Sequence, residues 1–508
     1  MAFNHQAKKA ASMKKRKIRL QGLFQLANAQ EAYGELLIKG RKSILTLTSQ
    51  SELPSMSDEN VLHGKTVDAK KVSCIYCEIL SQSNNWAYNE FTHHLAYLFP
   101  HFVTVGHEHI DPALSVVHSI EFTVDDLRYL FYDFDAFGSV SAANDIIGPV
   151  LVAANRTRKI ETGDHPMVAY FAGKLNVIEV ETEIGKMIVW RQLASNTGGP
   201  KGISIKNRIV VTLEMETPVT FEKAIDRMTV ITRFLSMMAG RRQIGYDIKL
   251  RTSTDADQSH RLISAYWTSS PKAYKSQTEN FKPDIRSVPI NPINDPSEFS
   301  MVFKDWVCRD ANWRIPRIRY ENCLSNGDYY DTNRLIAAAN SFDILPPNAV
   351  PREIPLSDDL TISRNECLKI IKRCPHSYER DSAIQALKRM GKPSLKRKIL
   401  HRAAMLKERF YPEFNEIETV IDLAVKCRNY FVHGPSDDFN FTAVEPFQSF
   451  FTNTLEFVFA ASDLIDAGWD ASKWSKKSLL PSGHSFARFI DEYRHALPEL
   501  KRSSKTSL

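Results

Sequence analysis

The stretch FNEIETVIDLAVKCRNYFVHG, residues 414–434, decides what kind of protein this is. Ile417, Val420, Ile421, Ala424 and Val425 recur at i, i+3, i+4, i+7 and i+8, the apolar stripe of an amphipathic helix. Gly434-Pro435 ends it, since glycine accepts the left-handed turn that closes a helix and proline cannot extend one. The last turn therefore carries Arg428, Asn429 and His433 to one helix end. Asn429 and His433, four apart, overlap. Arg428 and His433, five apart, sit about 140° apart on an ideal helix. Either Arg428 reaches round on its long stem or the last turn loosens before the glycine. The helix dipole favours a protonated histidine at this end. The competing reading is an arginine and a histidine that only cap a packed helix.

The spacing alone is common in a long chain. Arg158 to His165 and Arg488 to His495 fit its looser form, with six intervening residues. Arg428 stands apart through the adjacent Asn429, the amphipathic run before it and the Gly-Pro stop after it.

A chain of 508 residues exceeds one core, so about two to four domains are expected. Hydrophobic residues at 43% and aromatics at 10% exclude a disordered or fibrous class. No apolar run reaches the roughly 18 residues of a membrane span, so no membrane partner is expected. The N-terminal MAFNHQAKKAASMKKRKIRL is basic, lacks an apolar core and reads as a solvated tail rather than a secretory signal. Seven scattered cysteines suggest free thiols in a reducing cytoplasm. Cys74-Ile-Tyr-Cys77 has metal-like spacing but no second pair, and in a strand its thiols should face opposite ways. Cys367, Cys374 and His376 form a second loose cluster. The six histidines from His93 to His118 (His93, His94, His101, His107, His109 and His118) fit no compact ligand set, and surface or turn positions are expected for them. No metal and no cofactor is expected, because glycine-rich phosphate loops and clustered carboxylates are missing too.

The net charge of +7 is mild but concentrated. From Arg364 to Arg409 there are fourteen Lys/Arg against four acids, a block suited to a phosphate backbone or to a solvated face. Lys396-Arg397-Lys398 is its densest part and the candidate contact to such a backbone.

Residues 1–17 read as the basic tail and 18–267 as a β-rich domain. IRLQGLFQL, YGELLIKG, SILTLTS and KVSCIYCEIL alternate between turn residues, with His63-Gly64-Lys65 placed at a turn. Further strands are expected around Gly185 and over Ile209–Met215, then a helix from Phe221 to Met238. Residues 268–298 hold five prolines and read as a linker or long draped loop. The texture of 299–495 is helical, with TNRLIAAANSFDIL capped by its Thr or Asn, and 496–508 reads as a polar tail. The fold class expected is therefore α+β, a β-rich domain followed by an all-α bundle.

From about residue 18 to about 495 the chain resembles the ApeA-type bacterial anti-phage proteins, which join an ApeA N-terminal domain to an ApeA-like HEPN domain. The resemblance rests on GLFQL, YGELLIKG, SILTL and VLHGKTVDAKKVSCIYCEIL, then FLSMMAGRRQIGYDIKL, LIAAANSFDIL and CRNYFVHG, in that order. Arg428-Asn429-x-x-x-His433 resembles the signature of HEPN ribonucleases. The likeness implies a metal-independent endoribonuclease in which the ribose 2′-OH attacks its own 3′-phosphate, with abortive infection as the outcome. Arg428 would then hold the phosphate, His433 would handle protons, and Asn429 would orient His433 or the substrate. The family often places an acid near this centre on its first helix. Here Asn340 stands in that place and Asp343 lies one turn later.

The resemblance also implies a homodimer or larger even oligomer through the HEPN domain, RNA as partner (tRNA among the candidates) and a phage-derived trigger. One histidine cannot serve both sides of phosphorus, which favours a two-fold composite site. Tyr430, Phe431, Phe447, Phe450, Phe451, Phe457 and Phe459 offer apolar material for that contact, although some of these must be core. The alternatives are a catalytically silent HEPN scaffold that binds RNA or a phage protein, and a lectin-like or ligand-sensing N-terminal module that docks on a partner.

Overall fold

The structure, a computed structural model, describes residues 17–26, 30–50, 61–88, 90–154, 161–197, 200, 202–253, 262–271, 282–353, 355–435, 439–477 and 479–505. The basic tail up to residue 16, residues 272–281 of the Pro-rich stretch and Arg158 lie outside them. Two compact units are present. One holds residues up to 235 with 243–273 and 291–300; the other holds 236–242, 274–290 and 301 onward.

The first unit begins with β1 (Ile18–Gln25), β2 (Glu31–Ile38), β3 (Ile44–Ser49), β4 (Leu62–Thr66), β5 (Lys71–Ala87) and β6 (Glu90–Gly106). They pair antiparallel in the ring β1-β2-β3-β6-β5-β4, and β4 returns to β1. A closed ring leaves no strand edge unpaired within it. The alternation read in the sequence supplies the interior: Ala32, Leu36, Ile38, Leu45, Leu47, Val72 and Leu98 are buried there. Phe24 is the largest of these fillers. A Cβ at Gly34 would come within 2.3 Å of its ring and one at Gly64 within 2.6 Å. The glycines of YGELLIKG and VLHGKT are thus the floor on which Phe24 lies, and His63-Gly64-Lys65 is strand β4 rather than a turn.

The CxxC pair also departs from expectation. Tyr76 has φ +55°, a left-handed residue that breaks the alternation, so Cys74 and Cys77 are both buried in the barrel. The neighbouring thiol and burial push Cys74 up. His93, His94 and His101 lie on β6, where His93 pairs with Asn85, His94 with Asn84 and His101 with Glu78, each at 2.8 Å across the β5–β6 hairpin, while His107 and His109 follow the strand. Cys367 and Cys374 are exposed. Among the described residues no three His, Cys, Asp or Glu side chains gather as a metal ion would require.

β6 then passes into an open sheet. Next come β7 (Val117–Thr123), α1 (Leu127–Leu130), β8 (Phe137–Ser141), α2 (Asn144–Ala154), β9 (Met167–Phe171), β10 (Asn176–Thr182), β11 (Gly185–Arg191), β12 (Ala194–Thr197), β13 (Ile203–Lys206), β14 (Ile209–Val219), α3 (Phe221–Ala239), β15 (Tyr246–Arg251) and β16 (Ile263–Trp267). The order is β6-β16-β15-β7-β14-β11-β10. The helix expected over Phe221–Met238 is α3, which buries Phe221, Ala224, Met228 and Ile231.

The helices that follow are α4 (Pro296–Cys308), α5 (Asp310–Leu324), α6 (Thr332–Asp343), α7 (Asp358–Arg373), α8 (Tyr378–Lys388), α9 (Leu395–Arg409), α10 (Ile417–His433), α11 (Phe441–Val444), α12 (Gln448–Asp466), α13 (Ala471–Ser475) and α14 (Ser485–Lys505). Residues 282–298, expected within the linker, bury Ile285, Val288 and Ile290 and start α4 at Pro296. The stretch from 496, expected as a tail, is helical to Lys505. The cap of α6 is Asp331, whose side chain accepts from Arg334 N–H, one residue before the Thr or Asn expected.

The second unit is organised on α12, which is buried on nearly every side. Asp463 of α12 accepts from Arg309, Arg317 and the Trp306 indole at 2.8, 2.8 and 3.0 Å, and Arg317 stacks on Trp306 at 3.7 Å. Burial would raise the Asp463 carboxyl, but the Arg317 and Arg309 guanidiniums outweigh it and hold it at about 2. Glu456 takes Arg334 of α6 in a two-pronged pair at 2.7 and 2.9 Å. Phe450, Phe451, Phe457 and Phe459 belong to this core. That corrects their place among the candidate contact residues: a helix surrounded by others has no side to offer a second chain.

Candidate active site at the end of the Arg/His helix

The apolar stripe of α10 is buried as its spacing requires, with Ile417, Val420, Ile421, Ala424, Val425 and Cys427 inside. The helix runs unbroken to His433 and closes on Gly434, whose φ is +92° and whose N–H bonds to the Tyr430 carbonyl at 3.0 Å. The last turn does not loosen, so Arg428 reaches round. Its Nη1 donates to Asn429 Oδ1 at 3.1 Å and lies 3.5 Å from His433 Nε2. Arg428 is half-buried, while Asn429 and His433 are exposed. Hence Asn429 pairs with the arginine beside it, and no bond to the overlapping His433 forms.

A second element enters from 88 residues earlier. Asn340 of α6 accepts from Arg428 Nη2 at 2.8 Å. Asp343, one turn on, is engaged by Lys398 of α9 at 3.2 Å. The acid therefore belongs to a helix–helix pair, and the amide faces the arginine. The separation of α6 and α10 in the chain explains why no spacing rule could reveal this contact.

The basic run on α9 is largely paired. Lys396 bonds to Asp422, which also takes Lys426 at 3.0 Å. Lys407 meets Glu418 at 3.0 Å, and Arg402 is buried against Ser462 and Asp466. Those lysines pull Asp422 down against the burial that would raise it. Arg397 has no side-chain partner among the described residues. Beside His433, Tyr430 stacks on Phe441 at 4.5 Å with rings 5° apart, and Phe431 meets Phe441 edge-on at 5.1 Å. All three rings are half-buried.

A strand-built domain followed by a helical one that presents an arginine, an amide and a histidine agrees with the family comparison. The chain matches the family described as ApeA N-terminal domain 1 over residues 19–306. It belongs to that family. Residues 336–473 match the Apea-like HEPN domain, which contains both Asn340 and the whole of α10. The chain thus has the ApeA-type architecture and is a HEPN-family anti-phage defence protein. No curated protein and no solved structure matches it. Among the described residues no helix is long and apolar enough to cross a membrane.

Proposed function

We propose that this ApeA-family protein is a metal-independent endoribonuclease whose HEPN centre is Arg428, Asn429 and His433, and that its cleavage of host or phage RNA aborts infection. The observation that carries the reading is the approach of Arg428 Nη1 to His433 Nε2, 3.5 Å, at an exposed helix end. In-line attack of a 2′-OH on the adjacent 3′-phosphate builds negative charge on its non-bridging oxygens and needs a proton removed from the attacking oxygen and one given to the leaving 5′-oxygen. A guanidinium fork answers the first need and an imidazole with an ordinary pKa near 6.5 the second. His433 is exposed, where water and a phosphodiester can reach it. Lys396, Arg397 and Lys398 supply backbone contacts to RNA, tRNA among the candidate substrates, with phosphates displacing Asp422 and Asp343 from the two lysines.

Each helix end holds one histidine, while the reaction uses proton transfer on both sides. A homodimer, or a larger even-numbered oligomer, that joins two ends of α10 supplies the second. Half-buried Tyr430 and Phe431 and exposed Val432 provide apolar surface there. The test is RNA cleavage in EDTA by wild type, Arg428→Ala and His433→Ala, with 2′,3′-cyclic phosphate ends scored. Robust cleavage by folded His433→Ala protein overturns the assignment.

A further inference from the structure

Arginine can only donate hydrogen bonds. An asparagine beside it must therefore present Oδ1, and both neighbours of Arg428 do so, Asn340 at 2.8 Å and Asn429 at 3.1 Å. That choice fixes the other half of each amide. Both NH2 groups turn away from the guanidinium, and neither has an acceptor among the described residues. The Arg428 Nε–H is itself buried without a partner. No carboxylate meets Arg428 among the described residues; Asp343 is held by Lys398 and Asp422 by Lys396 and Lys426. The result is a cluster of donors around one uncompensated positive charge.

We propose that Asn340, Arg428 and Asn429 form a single anion cradle in which both amide NH2 groups bond directly to the non-bridging oxygens of the RNA phosphodiester. This rests on the ribonuclease reading for the identity of the anion. A carboxylate at 340 would hold Arg428 equally well, or better. It would also cancel the arginine's charge and face the phosphate with lone pairs in place of an N–H pair. Asparagine keeps the hold and leaves the charge, so position 340 contributes to substrate affinity as well as to arginine placement.

The two roles separate with a near-isosteric change. Binding of a 2′-O-methyl RNA oligonucleotide, which lacks the nucleophile and cannot be cut, is measured by fluorescence anisotropy on the full-length protein. Asn340→Asp and Asn429→Asp are each expected to weaken binding about tenfold or more, the loss typical of a charge-assisted hydrogen bond turned repulsive. Asn340→Ala, which removes the donor without adding charge, is expected to lose less. Wild-type binding by both Asn340→Asp and Asn429→Asp overturns the cradle. Asn429 is exposed, so its variant keeps the test sharp should a change at half-buried Asn340 disturb folding. The two readings fail separately. Binding that depends on the amides without cleavage of any RNA by wild type sinks the ribonuclease and leaves the cradle. Cleavage that needs His433, with aspartate variants binding normally, does the reverse.

Discussion

The helical unit contains two kinds of arginine, and their partners tell them apart. In the core around α12, Arg317 is wholly buried and its charge is cancelled by Asp463, while Arg334 is cancelled by Glu456. At the end of α10, Arg428 is half-buried and is held by amides alone. Burying a guanidinium costs several kcal/mol unless an anion goes with it, so the core arginines carry their carboxylates as a condition of folding. Arg428 keeps access to water and needs none. The core arginines are thus closed ion pairs, and Arg428 is an open cation. The closed ones hold helices together, and the open one can take an anion from outside.

Breaking the closed pairs should have the largest effect. Asp463→Ala leaves Arg317 and Arg309 without their shared anion and is expected to cost about 3–5 kcal/mol of stability, read by chemical denaturation. Asp463 has its folded pKa depressed. Its contribution is therefore present above the ordinary carboxylate range and lost as pH falls through about 2. A shift below about 1 kcal/mol would erase the distinction between the two classes.

Opening the other class should leave stability alone. Arg428→Ala and His433→Ala are each expected to lower cleavage on the order of a hundredfold or more, with unfolding midpoints near wild type. Substantial destabilisation by Arg428→Ala would return it to the structural group. Mixing the two variants sharpens the case: partial recovery of cleavage shows that the arginine and histidine act across a subunit interface, and no recovery leaves each protomer dependent on its own pair.

His484 provides a pH test of the core. Burial drives its imidazole down to about 3, with Nε2 donating to the Met237 carbonyl at 3.3 Å and Nδ1 accepting from Phe486 N–H at 3.1 Å. Its folded pKa lies below the unfolded 6.5, so its stabilisation is complete above 6.5 and declines as pH falls toward 3. His484→Gln should flatten that stretch of the stability profile. A profile of unchanged slope would mean that His484 takes a proton without unfolding.

The smallest effect is expected on α9. Neutralising Lys396, Arg397 and Lys398 should weaken RNA binding regardless of sequence and reduce the salt slope by up to about 0.7 for each lost phosphate contact on a single strand. An unchanged slope would place these residues wholly with the closed pairs.

Local chemistry made a good deal legible in advance. The alternation of β1 to β6, the stripe of α10, the Gly434 stop and the extent of α3 follow from side-chain periodicity and backbone preference, which act over a few residues. Arg428, Asn429 and His433 lie within the last two turns of one helix, so their proximity was also written locally. Where expectation failed, backbone conformation or a distant residue had the deciding role. Tyr76 in a left-handed conformation put both Cys74 and Cys77 inside, and Phe24 lies against Gly64, which read as a turn glycine and is in a strand. Asp343 went to Lys398, and Asn340, 88 residues from Arg428, became its partner. A sequence specifies which charges a helix carries, because that depends on residues three or four apart. Which of those charges is cancelled depends on what another helix brings within about 3 Å, and only the tertiary packing decides that.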